Sequence, residues 1–204
     1  MQSVPRVLSS TELSVADAKW VTLKKIKYLD EQGKERLWEC AERKTRKSSG
    51  VDGVAVLALL RSETNAFPVS TVVIEQYRPP IDKFVIGLVD DNETPEDAAI
   101  RELEEETGYK ADEVVESSPV IVSDPGMTNA NMKLVVLNVV LPDQLETPSQ
   151  QLQPGEFIVR RVIQLDKLND KLKGIVPGFI VDARLSHFAS GYEMALRLNN
   201  GKSA

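Results

Sequence analysis

Residues 87–109 read GLVDDNETPEDAAIRELEEETGY, a turn followed by a helix that together carry nine carboxylates and one arginine. The helix start is legible. Thr94 suits the cap, Pro95 the first helical position, and Glu96 and Asp97 put negative charge on the N-terminal turn. Gly108 marks the stop. Glu102 and Glu106 are four residues apart and Glu105 is three from Glu102, so all three project from one side. Like charges at that spacing destabilise a helix by roughly a few tenths of a kcal/mol per pair, and a plain surface helix relieves them with lysines. Dense oxygen donors are what hard divalent cations require. The run reads either as a metal site or as an acidic, solvated face.

The rest of the chain narrows the function classes. At 204 residues and 42% hydrophobic content it supports one domain, or one domain with a small appendage. The net charge of −6, with no basic tail, argues against nonspecific nucleic-acid binding. A single cysteine, Cys40, excludes an internal disulfide and suits a reducing compartment. No run resembles a signal peptide or approaches the ~18 apolar residues of a membrane span. A soluble, intracellular protein is expected. The lone histidine, His187, disfavours a His-based metal site or a Ser-His-Asp triad and reads as structural.

Outward from the acidic helix, strand-like runs occupy 20–29 and 36–46, joined by turn chemistry at 30–34, which predicts an N-terminal antiparallel hairpin. Two apolar runs, 53–60 and 71–77, predict buried strands. Further strands are expected at 119–123, 133–140 and 157–165, a short helix at 166–173, and an amphipathic helix at the C-terminus. Residues 142–155 read as a polar loop. The order β-β-β-β-α-β-β-β-α-α predicts an α+β domain whose sheet is covered by helices.

Gly87, five residues, Glu93, seven residues, then Arg101-Glu102-Leu103-Glu104-Glu105-Glu106-Thr107-Gly108-Tyr109 fills every defined position of a pattern. That pattern, G-x5-E-x7-R-E-U-x-E-E-x-G-U with U apolar, resembles the Nudix box. The resemblance implies an α/β/α sandwich with a mixed sheet, plus the N-terminal hairpin. It also implies hydrolysis of a nucleoside diphosphate linked to another group, dependent on Mg²⁺ or Mn²⁺. Its division of the chain gives 1–48 to the hairpin region, for dimerisation and base stacking, and 49–204 to the Nudix hydrolase domain.

Gln76-Tyr77-Arg78-Pro79-Pro80, Trp20, Trp38-Glu39 and Asp124-Pro125-Gly126 are similar to the ADP-ribose and ADP-sugar pyrophosphatase branch, over roughly residues 18–198. The likeness implies cleavage of ADP-ribose or related ADP-sugars to AMP and a sugar phosphate, by a homodimer that needs neither nucleic acid nor membrane. It places the protein in the cytoplasm, with the nucleus also open to it. By the same likeness, Ile86 (through its carbonyl), Glu102, Glu105, Glu106 and Glu156 are metal ligands, with Glu105 and Glu156 catalytic and Glu156 the general base. Arg101 would orient the glutamates, Glu93 would act as an outer-shell partner, and Glu104 would face solvent. Trp20 and Trp38 would sandwich the adenine, one from each subunit, and Glu39 would accept from its amino group. Arg43, Arg78 and Asp124 would contact substrate, with Asp124 reaching across from the partner. Arg46 reads either as a further contact or as a solvated strand end.

One departure stands out. This branch places Glu-Phe-Pro-Ala before the box glycine, whereas here Lys83-Phe84-Val85-Ile86 run straight into Gly87. The simplest alignment assigns those four to the preceding strand and leaves the tetrapeptide absent; an altered tetrapeptide in a shortened loop is the alternative. Asn92, where many relatives have glycine, is a mild change. The shortened approach keeps two alternatives open: a Nudix pyrophosphatase for other or oxidised nucleotides, and an ADP-ribose-binding module with impaired catalysis.

Overall fold

The computed structural model describes residues 4–46, 50–87, 94–175 and 177–201. Asn92 and Glu93 lie outside these residues. In chain order the strands are β1 (Val21–Leu29), β2 (Glu35–Arg43), β3 (Val54–Ser62), β4 (Ser70–Arg78), β5 (Lys83–Gly87), β6 (Glu113–Ser117), β7 (Ile121–Val122), β8 (Asn131–Leu141), β9 (Ile158–Gln164) and β10 (Phe179–Val181). The helices are α1 (Pro95–Thr107), α2 (Leu168–Lys173) and α3 (Ala183–Asn199).

The apolar run of β3 explains the layering. Alternate residues of a strand face opposite sides of a sheet. Val54, Val56, Ala58 and Leu60 pack with Ala98, Ala99 and Leu103 of α1. Ala55 and Leu57 belong to a second core with Leu168 and Leu172 of α2 and Leu185 and Ala189 of α3. A strand buried on both faces needs no polar alternation. The result is the expected α/β/α sandwich around a mixed sheet ordered β10-β5-β4-β3-β8-β6, with β9 also on β4 and β7 on β8. β10–β5 and β3–β8 are parallel, and the other pairs are antiparallel.

β1 and β2 form the expected hairpin, a two-stranded sheet of their own from Val21–Arg43 to Leu29–Glu35. Their turn is fixed by Asp30, whose carboxylate accepts from the backbone N–H of Gln32 and Lys34 and from Arg36. β3 and β4 share one paired position, Leu60 with Ser70. The opposite ends of these two strands, near Gly53 and Arg78, are therefore free to line a cavity.

Several expectations change. Lys83-Phe84-Val85-Ile86 do not extend the preceding strand. They form β5, which turns back on β4 with Lys83 opposite Arg78 and Gly87 opposite Ile74. Pro79–Ile81 make one 3-10 turn, and Asp82 takes a left-handed φ of 49°. The Asp82 carboxylate accepts from the Tyr77 hydroxyl at 2.5 Å and from the Val7 N–H at 3.0 Å. The same hydrogen bond pushes the Tyr77 phenol up to about 12. β6 and β10 arise where no strand was expected, and the strand expected at 119–123 contracts to two residues. Glu104 is half-buried and paired with Lys110 at 3.0 Å rather than solvent-exposed.

α1 is closed at both ends. The Thr94 hydroxyl accepts from the Asp97 N–H, and Pro95 occupies the first turn. A helix leaves its last four carbonyls without partners inside the helix. Here the Glu104 carbonyl accepts from Gly108 N–H at 2.7 Å, and the Glu105 carbonyl from Gln151 N–H at 2.8 Å. The Glu106 carbonyl accepts from Gln150 Nε2 at 2.6 Å, and the Thr107 carbonyl from Arg160 Nη1. Gly108 has φ 78°, and a Cβ there would meet the Ser149 carbonyl oxygen at 2.5 Å. Gly108→Ala is therefore expected to destabilise the fold by about 1–3 kcal/mol. Gly191→Ala, on α3 with nothing within 4 Å of the new Cβ, should stabilise it by roughly 0.5–1 kcal/mol. Urea denaturation of the two variants measures both.

Candidate active site

The apolar side of α1 ends in charge. Ala98, Ala99 and Leu103 sit in the core, while Glu102 and Glu106, one turn apart on the same buried side, are only 6% and 7% exposed. Both line a cavity of about 410 Å³ together with Arg43, Asp52, Ile74, Gln76, Arg78, Asn131 and Glu156. A volume of this order suits a small-molecule site. Ile74, Gln76 and Arg78 reach it as alternate residues of β4, one face of a strand. Arg43 arrives from the end of β2, and Glu156 from the loop before β9.

The charges around the cavity meet a mixture of ionic and backbone partners. Arg101 Nη1 donates to Glu102 Oε1 and, at 2.9 Å, to Glu105 Oε2. Arg43 Nη1 donates to the Asp52 carbonyl at 2.9 Å. The buried Asp52 carboxylate receives Arg46 as a fork, Nε at 3.0 Å and Nη2 at 2.6 Å. Glu156 Oε2 accepts from the Gln153 N–H at 2.9 Å within a tight turn. Arg78, exposed at the end of β4, lines the cavity and makes no ion pair or side-chain hydrogen bond among the described residues.

Of the residues expected to serve the site, the cavity brings together Arg43, Arg78, Glu102, Glu106 and Glu156. Glu105 stays outside its lining, on Arg101. The Ile86 carbonyl accepts from the Asp182 N–H at 2.9 Å, and Ile86 instead lines a second cavity, of about 500 Å³, on the other face of the sheet. Trp20, Trp38, Glu39 and Asp124 do not line the site within one chain. Trp20 and Trp38 are 71% and 48% exposed. Trp38 Nε1 donates to the Gly126 carbonyl at 2.9 Å, which sets β2 against the turn that follows Asp124. His187 is an exposed residue of α3.

Asp52, Asn131 and Gln153 are polar lining residues that the sequence did not single out, and Gln76 entered only as part of the motif that holds Arg78. Gln76 had a signal, since it lies two residues before Arg78 on one strand face. Asp52 had none, because its partners Arg46 and Asn131 meet it only through the fold.

The donor set is carboxylate oxygen throughout, the chemistry of a hard divalent cation. Two of the carboxylates are buried, and burying like charges side by side is costly without a counter-cation. Among the described residues, no three His, Cys, Asp or Glu side chains stand close enough to enclose an ion. The donors thus fit such a cation in kind, with Glu156 held a step away by Gln153.

The family model described as NUDIX domain matches residues 51–180. The chain belongs to the Nudix hydrolase family. An uncharacterized Nudix hydrolase of Schizosaccharomyces pombe is 44% identical over 199 residues, 95% of each chain. The ADP-ribose pyrophosphatase of Saccharomyces cerevisiae is 40% identical over 187 residues, 88% of this chain and 80% of its own. The ADP-sugar pyrophosphatase of Mus musculus is 35% identical over 204 residues, 96% and 89% respectively. The solved structure of an ADP compounds hydrolase aligns over 100% of both chains with a TM-score of 0.59 and 18% identity, a likeness of fold. In this Nudix chain the box helix is α1, and its buried glutamates are Glu102 and Glu106.

The hydrogen bonds from Arg46 hold the Asp52 carboxyl below its ordinary value of 3.8; they outweigh burial, which pushes it up, and the Asn131 N–H adds to them. The folded state therefore binds this proton less readily than the unfolded chain. The stabilisation is complete above the unfolded value near ~3.9 and fades as pH falls through the lower folded pKa. Denaturation midpoints measured from pH 6 to pH 2.5 should fall more steeply for the native chain than for Asp52→Asn.

Proposed function

We propose that this Nudix protein hydrolyses the diphosphate of ADP-ribose, and of related ADP-sugars, to AMP and ribose 5-phosphate or the corresponding sugar phosphate, with Mg²⁺ or alternatively Mn²⁺. The observation that carries the reading is Arg78, a guanidinium with no ion pair among the described residues, in the same cavity as Arg43 and two buried glutamates. A planar fork of donors suits paired phosphate oxygens. The names of the yeast and mouse relatives supply the substrate class.

In this reading Glu102 and Glu106 hold the cation, Glu105 joins through the Arg101 bridge, and Ile86 offers the second lone pair of its carbonyl. When bound, the cation neutralises phosphate charge and lowers the pKa of water. Arg43 and Arg78 orient the diphosphate. The Glu156 carboxylate leaves the Gln153 N–H and takes the proton of the attacking water.

The assembly is a homodimer. A lone two-stranded hairpin is marginal in water, and this one exposes Leu23, Leu29 and Leu37 besides both tryptophans. A second copy covers that apolar surface, residues 1–48 form the dimerisation region and 49–204 the hydrolase domain. Trp20 and Trp38 then stack on adenine, each base–aromatic contact worth ~1–3 kcal/mol. Glu39 accepts from the adenine amino group, and Asp124 reaches the substrate of the neighbouring copy. The free, buried Cys40 suits a cytoplasmic location, with the nucleus as a second compartment. Neither nucleic acid nor membrane takes part.

A second reading, an ADP-ribose-binding module with weakened turnover, draws on the carboxylates among the described residues, which do not close around an ion, and on the Ile86 carbonyl turned to Asp182. AMP release from ADP-ribose with Mg²⁺, measured beside ADP-ribose affinity, separates the two. Turnover supports the hydrolase, binding alone supports the module, and neither refutes the substrate. Glu106→Gln should reduce turnover by about 10³-fold or more while the fold remains intact; full activity would refute its role. Light scattering should give the mass of a dimer, and a monomer would refute the shared site.

A further inference from the structure

Asp52 joins three elements at the edge of the candidate site. It stands ahead of β3, and its side chain is 1% exposed. Its carboxylate takes the Arg46 fork and, through Oδ2, the Asn131 N–H at 3.1 Å. Its own N–H donates to Asn131 Oδ1 at 2.9 Å, and its carbonyl accepts Arg43 Nη1 at 2.9 Å. Arg46 Nη2 also donates to the Asn129 carbonyl at 2.7 Å. The end of the hairpin, the start of β3 and the start of β8 thus meet on one residue.

That meeting point sorts the two arginines. Both carboxylate oxygens of Asp52 are given to Arg46, so the Arg46 charge is neutralised inside the protein. Arg43 gives one N–H to a backbone carbonyl, makes no ion pair among the described residues and lines the cavity with its other donors uncommitted there. A buried ion pair is weak evidence for stability, since apolar replacements are often neutral. Its value here is geometric. Arg43 is carried by a hairpin outside the main sheet, and the hairpin end needs an anchor if that guanidinium is to stay in register with Arg78 on β4.

We propose that Asp52 is a positioning residue: it clamps Arg46 and the Arg43 backbone partner so that the Arg43 guanidinium meets the anionic diphosphate beside Arg78. The proposal rests on the reading of the cavity as an ADP-ribose site. Asp52→Asn keeps the shape of the side chain and removes the charge that holds Arg46. It should raise KM for ADP-ribose about ten-fold or more, with kcat changed far less, because loss of a charge-assisted contact is of that order. Arg43→Ala should raise KM likewise, and the double variant should be no worse than Arg43→Ala alone, since Asp52 acts through Arg43.

Arg46→Gln, which leaves Asp52 in place, should shift KM in the same direction in a protein that melts cooperatively. This variant decides the matter if Asp52→Asn does not fold. Additive effects of Asp52→Asn and Arg43→Ala, a fall confined to kcat, or an unchanged KM in folded Arg46→Gln would overturn the proposal. If the native protein releases no AMP, the hydrolase reading fails, and the clamp is read from calorimetric binding of inorganic pyrophosphate. About ten-fold weaker binding by Arg46→Gln then supports it. Equal binding, or none by the native protein, overturns it.

Discussion

The structure depends on burying two carboxylates on the core side of one helix. Glu102 and Glu106 follow Ala98, Ala99 and Leu103 around α1, so the contact that seats the helix on the sheet also carries both charges out of water. Their placement admits little slack, because moving the helix either drops the alanines from the core or drives the charges deeper. The chain answers with closure at the C-terminal end of α1, where each of the last four carbonyls has a donor. Two of those donors, Gln150 and Gln151, precede Glu156 by only a few residues. The loop that fixes the helix is thus the loop that brings the third carboxylate to the cavity.

The cavity itself follows from a defect in the sheet. The one paired position of β3 and β4 is Leu60 with Ser70, and the space between their other ends opens as a cavity with a largely polar lining. β4 contributes through alternate residues, α1 through its buried turn, and the hairpin through the single reach of Arg43. Cations and carboxylates therefore enter from different elements, which suits a ligand that is itself anionic and bound beside a cation. The opposite face of β4 carries Val73 and Glu75, with Glu75 forked onto Arg161, so charge on that side is already matched within the protein.

Much of this was legible in the sequence, for identifiable reasons. The cap at Thr94, the stop at Gly108 and the face carrying Glu102 and Glu106 depend on near neighbours, and all are in the structure. Long strands with their own β-branched or apolar character, β1 to β4 and β8, were equally readable. β5, β6 and β10 were not, because strands of three to five residues are created by the partners they pair with. Glu104 was misjudged because its cover comes from Lys110 beyond the helix stop. Asp52 was missed for the same kind of reason: nothing local distinguishes an aspartate before Gly53, and its importance arises from Arg46, Asn129 and Asn131 meeting around it.

The approach to Gly87, which the resemblance makes shorter than in the family, shows how a sheet sets the position of a residue. A loop would carry a missing tetrapeptide as a displacement of up to ~13 Å, at roughly 3.3 Å per residue. A paired strand does not, because register is set by its neighbours and not by the length of the connection. The tight turn at Pro79–Ile81, held by Asp82 to Tyr77 and Val7, starts β5 opposite Arg78. From there the ladder leads to Gly87 opposite Ile74, a residue that lines the cavity. The box glycine consequently lies level with a residue of the site. The same ladder places β5 between β4 and β10, so the Ile86 carbonyl meets the Asp182 N–H. The register that sets the position of Gly87 is also what gives the Ile86 carbonyl its partner across the sheet, and the two consequences are inseparable.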